Sequence, residues 1–203
     1  KLAKFLTKNS EKKQIPCFDV LGDLILNFSK LLNQKASHIP SGQHALDDEY
    51  YKRIEAIQFT MSHDDGKIIN DIEKSDIILL GISRTSKTPT SIYLANRGYK
   101  TCNIPIISSA FIPPKLKNNP KISCIIGLII EPSRLLVVRK NRMVSMNEER
   151  PNSYIDIEKI RLETEMAKNI FKENKWPTID VTRKSVEETA ASIIKIYNII
   201  HSK

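Results

Sequence analysis

A loop with the composition of a phosphate cradle follows one of the most apolar stretches of the chain. Four consecutive Ile and Leu residues precede Gly81, and the segment Gly81–Thr88 then has the pattern G-x-x-x-x-S-K-T. In such a loop, successive backbone N–H groups and the N-terminus of a helix converge on phosphate oxygens. A lysine reaches the terminal phosphates, and a Ser or Thr hydroxyl binds Mg²⁺. The spacing therefore predicts a phosphate-binding site.

Ser86 departs from the usual G-x-x-x-x-G-K-[ST] pattern, because it stands where the second glycine is expected. Its Cβ restricts the backbone conformations that are open to glycine. Lys87 and Thr88 occupy the positions of the phosphate-binding lysine and the metal-binding hydroxyl, and Arg84 adds a second cation. All eight loop residues are predicted to contact the ligand: Gly81, Ile82, Ser83, Arg84, Thr85, Ser86, Lys87 and Thr88.

Carboxylates are the second requirement of phosphoryl transfer, because Mg²⁺ prefers oxygen ligands and an attacking hydroxyl needs a proton acceptor. Asp64 and Asp65 follow His63 in a turn that ends at Gly66, and Asp180 ends a short apolar run. Each has a structural alternative, since the pair can cap a turn and Asp180 can begin the last helix. The sequence does not rank the three acids.

Most other charged residues are predicted to have structural roles. Ser185 and Glu188 have the spacing of a capping box at the start of the last helix. Arg183 is a further candidate for a phosphate contact, although a solvated arginine is the commoner case. Surface or salt-bridge roles are expected for five more residues: Arg53, Glu55, Arg139, Arg142 and Arg150.

The composition is that of a soluble protein with one large α/β domain, or one domain and a small appendage. Of the 203 residues, 40% are hydrophobic and 27% charged, and no apolar run approaches the roughly 18 residues of a membrane span. Lys1–Lys13 lack the features of a secretory signal. Cys17, Cys102 and Cys124 are widely spaced, which favours reduced core thiols and the cytoplasm over disulfides or zinc.

The net charge of +9 raises the alternative of a basic nucleic-acid-binding module. The basic residues are spread along the chain without interleaved aromatic residues, which disfavours this interpretation. No membrane partner is expected, and a homodimer is left open.

Hydrophobic periodicity predicts alternating strands and helices. Strands are expected over residues 14–21, 76–81, 100–107, 124–130 and 176–181. Helices are expected over residues 24–32, 50–61, 89–96, 132–143, 156–173 and 185–200. Residues 34–48 are predicted to form a loop that ends near Asp47, a helix N-cap. The alternation predicts an α/β fold with a mainly parallel sheet flanked by helices, and it places the Gly81 loop at the carboxyl ends of the strands, where ligands bind.

The segment Gly81–Gly98 resembles the signature of the pyruvate, phosphate dikinase and phosphoenolpyruvate synthase regulatory proteins, which are bifunctional kinase–pyrophosphorylases. Further blocks agree along nearly the whole chain: residues 51–59, 63–66, Gly127-Leu128 with Arg139 and Arg142, and 176–191. In this family a serine at position 86 is expected. Members usually carry a further N-terminal segment that is absent here.

The resemblance implies a P-loop kinase-like fold and a serine/threonine kinase that uses ADP as donor, with Mg²⁺ as the expected metal. The kinase inactivates the dikinase or synthase by phosphorylating an active-site threonine, and inorganic phosphate reverses the modification with release of pyrophosphate. Lys87 would balance charge on the donor phosphates, Arg84 would steady the moving group, and Thr88 or Ser86 would bind metal or phosphate. Asp64, Asp65 or Asp180 would serve as base or metal ligand.

The resemblance also suggests a division of the chain after residue 66. Residues 1–66 are expected to hold the end of an N-terminal α/β region and a helical connector, and residues 67–203 the P-loop-type kinase/phosphorylase domain. A small-molecule kinase that uses ATP remains an alternative, as does the nucleic-acid-binding module.

Overall fold

The computed structural model describes residues 2–36, 48–66, 71–107, 112–116, 124–146 and 152–202. The chain divides into two compact units, Lys1–Ala45 and Leu46–Lys203. The predicted loop over residues 34–48 falls largely outside the described residues, and its predicted N-cap Asp47 lies outside them entirely.

The second unit contains a four-stranded parallel sheet in the order β2-β1-β3-β4. The strands are β1 (Ile77–Gly81), β2 (Thr101–Pro105), β3 (Ile125–Ile129) and β4 (Thr178–Asp180). Strand β1 pairs with β2 from Ile77↔Thr101 to Gly81↔Pro105 and with β3 from Ile78↔Ile125. The predicted strands over residues 76–81, 100–107, 124–130 and 176–181 are therefore confirmed, as is the parallel α/β fold.

Five α-helices in the described part of the second unit flank this sheet. They are α3 (Asp48–Ser62), α4 (Lys87–Ala95), α5 (Pro132–Met146), α6 (Ile157–Glu173) and α7 (Val186–His201). Helix α4 packs on α3, α7, β1 and β2, whereas α5 packs on α6, which lies on β3. Each of these helices was predicted from its periodicity to within a few residues.

The core is built around β1, whose five residues are all buried. A strand covered on both faces needs a continuous apolar run rather than an alternating one, and Ile77–Leu80 supplies it. Gly127 of β3 lets α6 approach closely, because a Cβ there would lie 2.5 Å from a ring carbon of Phe171. The sheet and its helices therefore hold the carboxyl end of β1 in a rigid frame.

The first unit contains α1 (Leu2–Lys12) and α2 (Gly22–Leu31). The helix predicted over residues 24–32 is confirmed by α2, but the strand predicted over residues 14–21 is wrong. Gln14 adopts a left-handed φ of 52°, and the Asp19 carboxylate accepts a 2.7 Å hydrogen bond from the Gly22 N–H at the start of α2. Local capping therefore replaces a strand, and α1 had not been predicted.

The division between the units falls earlier than the predicted boundary after residue 66. Helix α3 packs on α4 and β2, so it belongs to the unit that contains the sheet rather than to a connector. None of the helices within the described residues combines the length and apolarity needed to cross a membrane.

The three cysteines are free thiols. Cys102 and Cys124 are buried, as expected for core thiols, and burial raises the pKa of each to about 12. Cys17 is exposed, so the prediction of a core position is wrong for this residue. It precedes the capping turn of α2, where no apolar partner covers it within the described residues.

Candidate functional site

The predicted phosphate loop connects the buried strand β1 to the first turn of α4. Arg84 and Ser86 both adopt left-handed conformations, with φ values of 71° and 59°. Ser86 is thus found in the backbone region that usually favours glycine, even though it carries a Cβ. Gly81 is required by space, because a Cβ there would lie 2.6 Å from the Thr85 Oγ1. The Thr85 hydroxyl in turn donates to the Ile82 carbonyl at 3.0 Å and fixes the loop.

Lys87 is the first residue of α4 and its side chain is almost completely buried. Its Nζ donates to the Ile82 carbonyl at 3.0 Å, so the ammonium is folded back over the loop. Burial lowers the pKa of Lys87 to about 8, and this effect is opposed by the nearby charges of Asp65 and Asp64. The carboxylates of Asp65 and Asp64 therefore favour the charged form of Lys87, which burial disfavours.

Asp64 and Asp65 lie beside the start of α4, in the 3-10 turn Asp64–Gly66. The Asp64 Oδ1 accepts a 3.0 Å hydrogen bond from the Thr88 hydroxyl and another from the side-chain amide of Asn103. The Asp65 N–H donates to the Asn103 Oδ1 at 3.0 Å, and Asp65 has a left-handed φ of 52°. Asn103 therefore fixes both acidic residues against β2.

His63 precedes the two acids but has a structural position. Its ring stacks on Phe59 with 3.9 Å between ring centroids, and its Nδ1 is 2.8 Å from the Phe59 carbonyl. The imidazole is buried, and it does not line the cavity at the phosphate loop. Only the two carboxylates of this turn are thus brought to the loop.

A cavity of about 540 Å³ opens above the loop. Its polar wall is formed by Asp65, Ser83, Arg84, Ser86, Lys87 and Thr88. Its apolar lining includes Pro105 and Val138. The volume is within the range of small-molecule and cofactor sites. Two cations and one carboxylate face it, which is the balance expected for a site that binds phosphate and also moves a proton.

The oxygen donors beside α4 fit Mg²⁺. The Thr88 hydroxyl and the Asp64 carboxylate are 3.0 Å apart, and both are hard oxygen ligands. Magnesium in phosphate sites usually takes one or two protein ligands and completes its octahedron with water and substrate phosphates. The described residues contain no cluster of three or more His, Cys, Asp or Glu side chains that would hold a metal alone.

The first 194 residues match the family described as Kinase/pyrophosphorylase. The chain belongs to this family. A relative from Pelagibacter ubique (strain HTCC1062) is 67% identical over 198 residues, which covers 98% of this chain and 72% of the relative. Another, from Erythrobacter litoralis (strain HTCC2594), is 43% identical over 200 residues, which covers 98% of this chain and 71% of the relative. Both are provisionally named pyruvate, phosphate dikinase regulatory protein.

In this kinase/pyrophosphorylase, Asp180 lies away from the phosphate loop. It ends β4, which is separated from β1 by β3, and it does not line the cavity. Its Oδ1 accepts hydrogen bonds from the Thr182 N–H at 2.8 Å and from the Thr182 hydroxyl at 2.5 Å. Burial opposes ionisation of Asp180, but the hydrogen bonds from Thr182 and the charges of Lys168 and Lys184 lower its pKa. Asp180 therefore stabilises a turn.

The remaining charged residues of the sequence analysis fall outside the cavity. Ser185 and Glu188 form the predicted capping box at the start of α7. Glu55 pairs with Lys100 at 2.6 Å, as expected for a surface ion pair. Exposed positions are found for Arg53, Arg142 and Arg183, whereas Arg150 lies outside the described residues.

Three residues of the site region were missed or misjudged from sequence. Asn103 is a polar residue inside an apolar strand, which was an available signal for a functional position. Tyr154 lies in a polar segment without periodicity, and its hydroxyl accepts a 3.3 Å hydrogen bond from the Arg84 Nε. Arg139 has the predicted salt-bridge role, since it forms an ion pair with Glu163, but it is 1% exposed, and this burial was not predicted.

Proposed function

We propose that this kinase/pyrophosphorylase transfers a phosphoryl group from ADP to an active-site threonine of pyruvate, phosphate dikinase, and removes it again with inorganic phosphate. The first reaction switches the target off and the second switches it on. Phosphoenolpyruvate synthase is the alternative target. The names of the relatives support the dikinase, and the resemblance of Gly81–Gly98 to the regulatory-protein signature supports both.

The observation that carries this proposal is the buried Lys87 ammonium at a cavity whose other polar groups come from the same loop and from Asp65. Phosphoryl transfer leaves little covalent work to the protein, so most of the rate enhancement comes from positioning and from cations that stabilise the charge. Lys87 and Arg84 are such cations, and the start of α4 adds the positive end of a helix dipole. The cavity volume of about 540 Å³ suits a nucleoside diphosphate.

In the forward direction, the threonine oxygen attacks the β-phosphorus of ADP. The bond between this phosphorus and the bridging oxygen breaks, and AMP leaves with that oxygen. Asp65 is the better candidate for the base that accepts the threonine proton, because its carboxylate lines the cavity. Asp64 is already engaged by Thr88 and Asn103, so it is better suited to orient these partners.

In the reverse direction, an oxygen of inorganic phosphate attacks the phosphorus of phosphothreonine. Pyrophosphate forms, and the threonine oxygen leaves and recovers a proton from the acid at Asp65. Both directions require two phosphate-bearing groups to be aligned across one cationic centre. Arg84 and Lys87 can serve both reactions because they line the same cavity.

Thr88 and Asp64 would hold Mg²⁺ in this site, with donor phosphates as further ligands. The metal would supply neutralisation of the phosphate charge during transfer. The protein residues then orient the donor, exclude water from the apolar wall at Pro105 and Val138, and move the threonine proton.

The reaction is expected in the cytoplasm. The buried thiols of Cys102 and Cys124 support a reducing compartment, because neither is placed in a disulfide. A homodimer remains a prediction.

The proposal is tested by incubating the protein with ADP, Mg²⁺ and purified dikinase, and by measuring the intact mass of the target. The expected result is one added phosphoryl group and the release of AMP. Phosphate added to the modified target should then release pyrophosphate. Lys87→Met should lower both rates by a factor of about 10² or more, since it removes the charge at the loop. Lys195→Met is the matched control, because Lys195 is exposed and does not line the cavity. Circular dichroism should show both variants folded.

The same assay separates the alternatives. A small-molecule kinase would prefer ATP and would modify a metabolite without a protein target. A nucleic-acid-binding module would bind DNA or RNA with a steep salt dependence and would be indifferent to Lys87→Met. Wild-type rates for both reactions in the folded Lys87→Met variant would contradict the assignment of the loop.

A further inference from the structure

Tyr154 connects the phosphate loop to a different part of the sheet unit. It lies in the 3-10 turn Asn152–Ile155, which packs against both α5 and α6. Its hydroxyl accepts a 3.3 Å hydrogen bond from the Arg84 Nε and is also hydrogen-bonded to the Ser83 side chain. A residue distant in sequence thus contacts two neighbouring positions of the loop.

Arg139 contacts both the ring and the backbone of Tyr154. The guanidinium carbon lies 4.6 Å from the centre of the Tyr154 ring, and Nη1 donates to the Tyr154 carbonyl at 3.2 Å. Nη2 forms a 2.5 Å ion pair with the Glu163 carboxylate. Because Arg139 is 1% exposed, its charge is desolvated and depends on these partners. Both the ring and the backbone of Tyr154 are therefore held in place.

The contact with Tyr154 uses only the Nε of Arg84. Within the described residues, the terminal nitrogens of Arg84 have no protein partner, and the side chain lines the cavity. A guanidinium fixed at Nε presents its terminal nitrogens as a fork, which matches the geometry of phosphate oxygens. Without that contact, the long side chain would have to be ordered during each reaction cycle, at a cost in conformational entropy.

We propose that Tyr154 is a positioning residue for phosphoryl transfer, which orients the Arg84 guanidinium toward the moving phosphoryl group. Arg139, which is paired with Glu163, holds Tyr154 through its contacts with the ring and the carbonyl. This inference rests on the proposed function of the same site. Tyr154 itself acts through Arg84 and is not required to touch the phosphoryl group.

The kinetic consequence is a loss of kcat rather than of donor binding. Lys87 and the loop backbone hold the donor in the ground state, whereas an oriented Arg84 contributes most when charge develops during transfer. Tyr154→Phe keeps the ring over Arg139 and removes only the hydroxyl. It should lower kcat about tenfold in both directions and change KM for ADP by less than about threefold.

Tyr93→Phe is the matched control. The Tyr93 hydroxyl also accepts a hydrogen bond from an arginine, Arg97 at 3.1 Å, and the guanidinium lies 5.5 Å from the ring centre. This pair lies near the C-terminal end of α4, outside the cavity at the loop. Tyr93→Phe should leave kcat unchanged in both directions, so a general effect of losing a tyrosine hydroxyl would be detected.

A double-mutant cycle with Arg84→Lys tests whether Tyr154 acts through Arg84. Lysine retains the charge but has no Nε to contact Tyr154, so adding Tyr154→Phe to Arg84→Lys should lower kcat by less than about twofold. Independent tenfold losses that multiply would overturn the inference, and so would an unchanged kcat in folded Tyr154→Phe.

Glu163→Gln provides a second variant if Tyr154→Phe does not fold. Glu163 is partly exposed, and its substitution weakens the ion pair that holds Arg139. We therefore expect kcat to fall about two- to fivefold with little change in KM. An unchanged kcat would overturn the inference. If wild-type protein transfers no phosphoryl group to either target, the proposed function fails instead, and the two failures are thus distinguished.

Discussion

Lys87 carries a charge that the proposed function needs, but its buried position disfavours the charged form. Burial lowers its pKa to about 8, while Asp65 and Asp64 act in the opposite direction. The folded pKa is below the ordinary value of 10.5, so between these pH values the unfolded chain binds more protons than the folded chain. Stability from this residue therefore rises as pH increases from 8 to 10.5. Below pH 8 this penalty is present in full, and we expect a bound phosphate to offset part of it.

ADP binding is predicted to take up a proton at alkaline pH. The ligand phosphates favour the charged form of Lys87 and raise its pKa, so a lysine that is partly neutral near pH 8 becomes protonated. Uptake should approach about half a proton per site at pH 8. Calorimetry in buffers of different ionisation enthalpy measures this number directly. Lys195→Met should behave like wild type, whereas proton release or no buffer dependence would contradict the prediction.

At the scale of elements, the β1–loop–α4 unit could be predicted from sequence because its signals are local. A buried apolar strand, a loop with defined spacing and a following helix all occur within Asp76–Asn96. The contacts that complete the site could not be predicted in the same way. Asn103 and Tyr154 reach the loop region through tertiary packing, and Asp180 has the same local pattern as a site acid but ends a different strand.

The first unit shows a related limit of local patterns. The short segment over residues 14–21 was predicted to form a strand, yet a strand is stable only where a neighbouring strand supplies hydrogen bonds. Asp19 instead caps the first turn of α2, and Pro16 has no N–H to donate to a ladder. The capping interaction is formed within a few residues and needs no partner strand.

Ser86→Gly is predicted to stabilise the connection between β1 and α4. Ser86 has a left-handed φ of 59° and makes no side-chain capping hydrogen bond to α4. Removing the Cβ relieves a strain of roughly 1–2 kcal/mol, and the greater freedom of glycine in the unfolded chain offsets part of this gain. The free energy of unfolding in urea should rise by about 0.5–1 kcal/mol.

Ser192→Gly is the control for this substitution, because Ser192 lies inside α7 with ordinary helical geometry. There the same change should lower the free energy of unfolding by about 0.5–1 kcal/mol. Destabilisation of both variants would show that the conformation of Ser86 costs nothing.

At the scale of the whole molecule, the functional residues and the apolar core belong to one unit. The described buried apolar side chains lie between Ala56 and Ile193, and the proposed site residues lie between Asp64 and Tyr154. The chain carries a net charge of +9, which attracts anionic ligands at long range. Arg84 and Lys87 line the cavity, so an attracted anion is expected to bind there.

A fragment of residues 46–203 is predicted to fold and to bind ADP without residues 1–45. The second unit has its own sheet and core, and it contains every residue that lines the cavity. Unfolding in urea, followed by circular dichroism, should show one cooperative transition, and calorimetry should give a Kd for ADP within about threefold of the full chain. A fragment without a cooperative transition would show that residues 1–45 supply part of the stability. A folded fragment without ADP affinity would show instead that the site extends beyond the cavity at the phosphate loop.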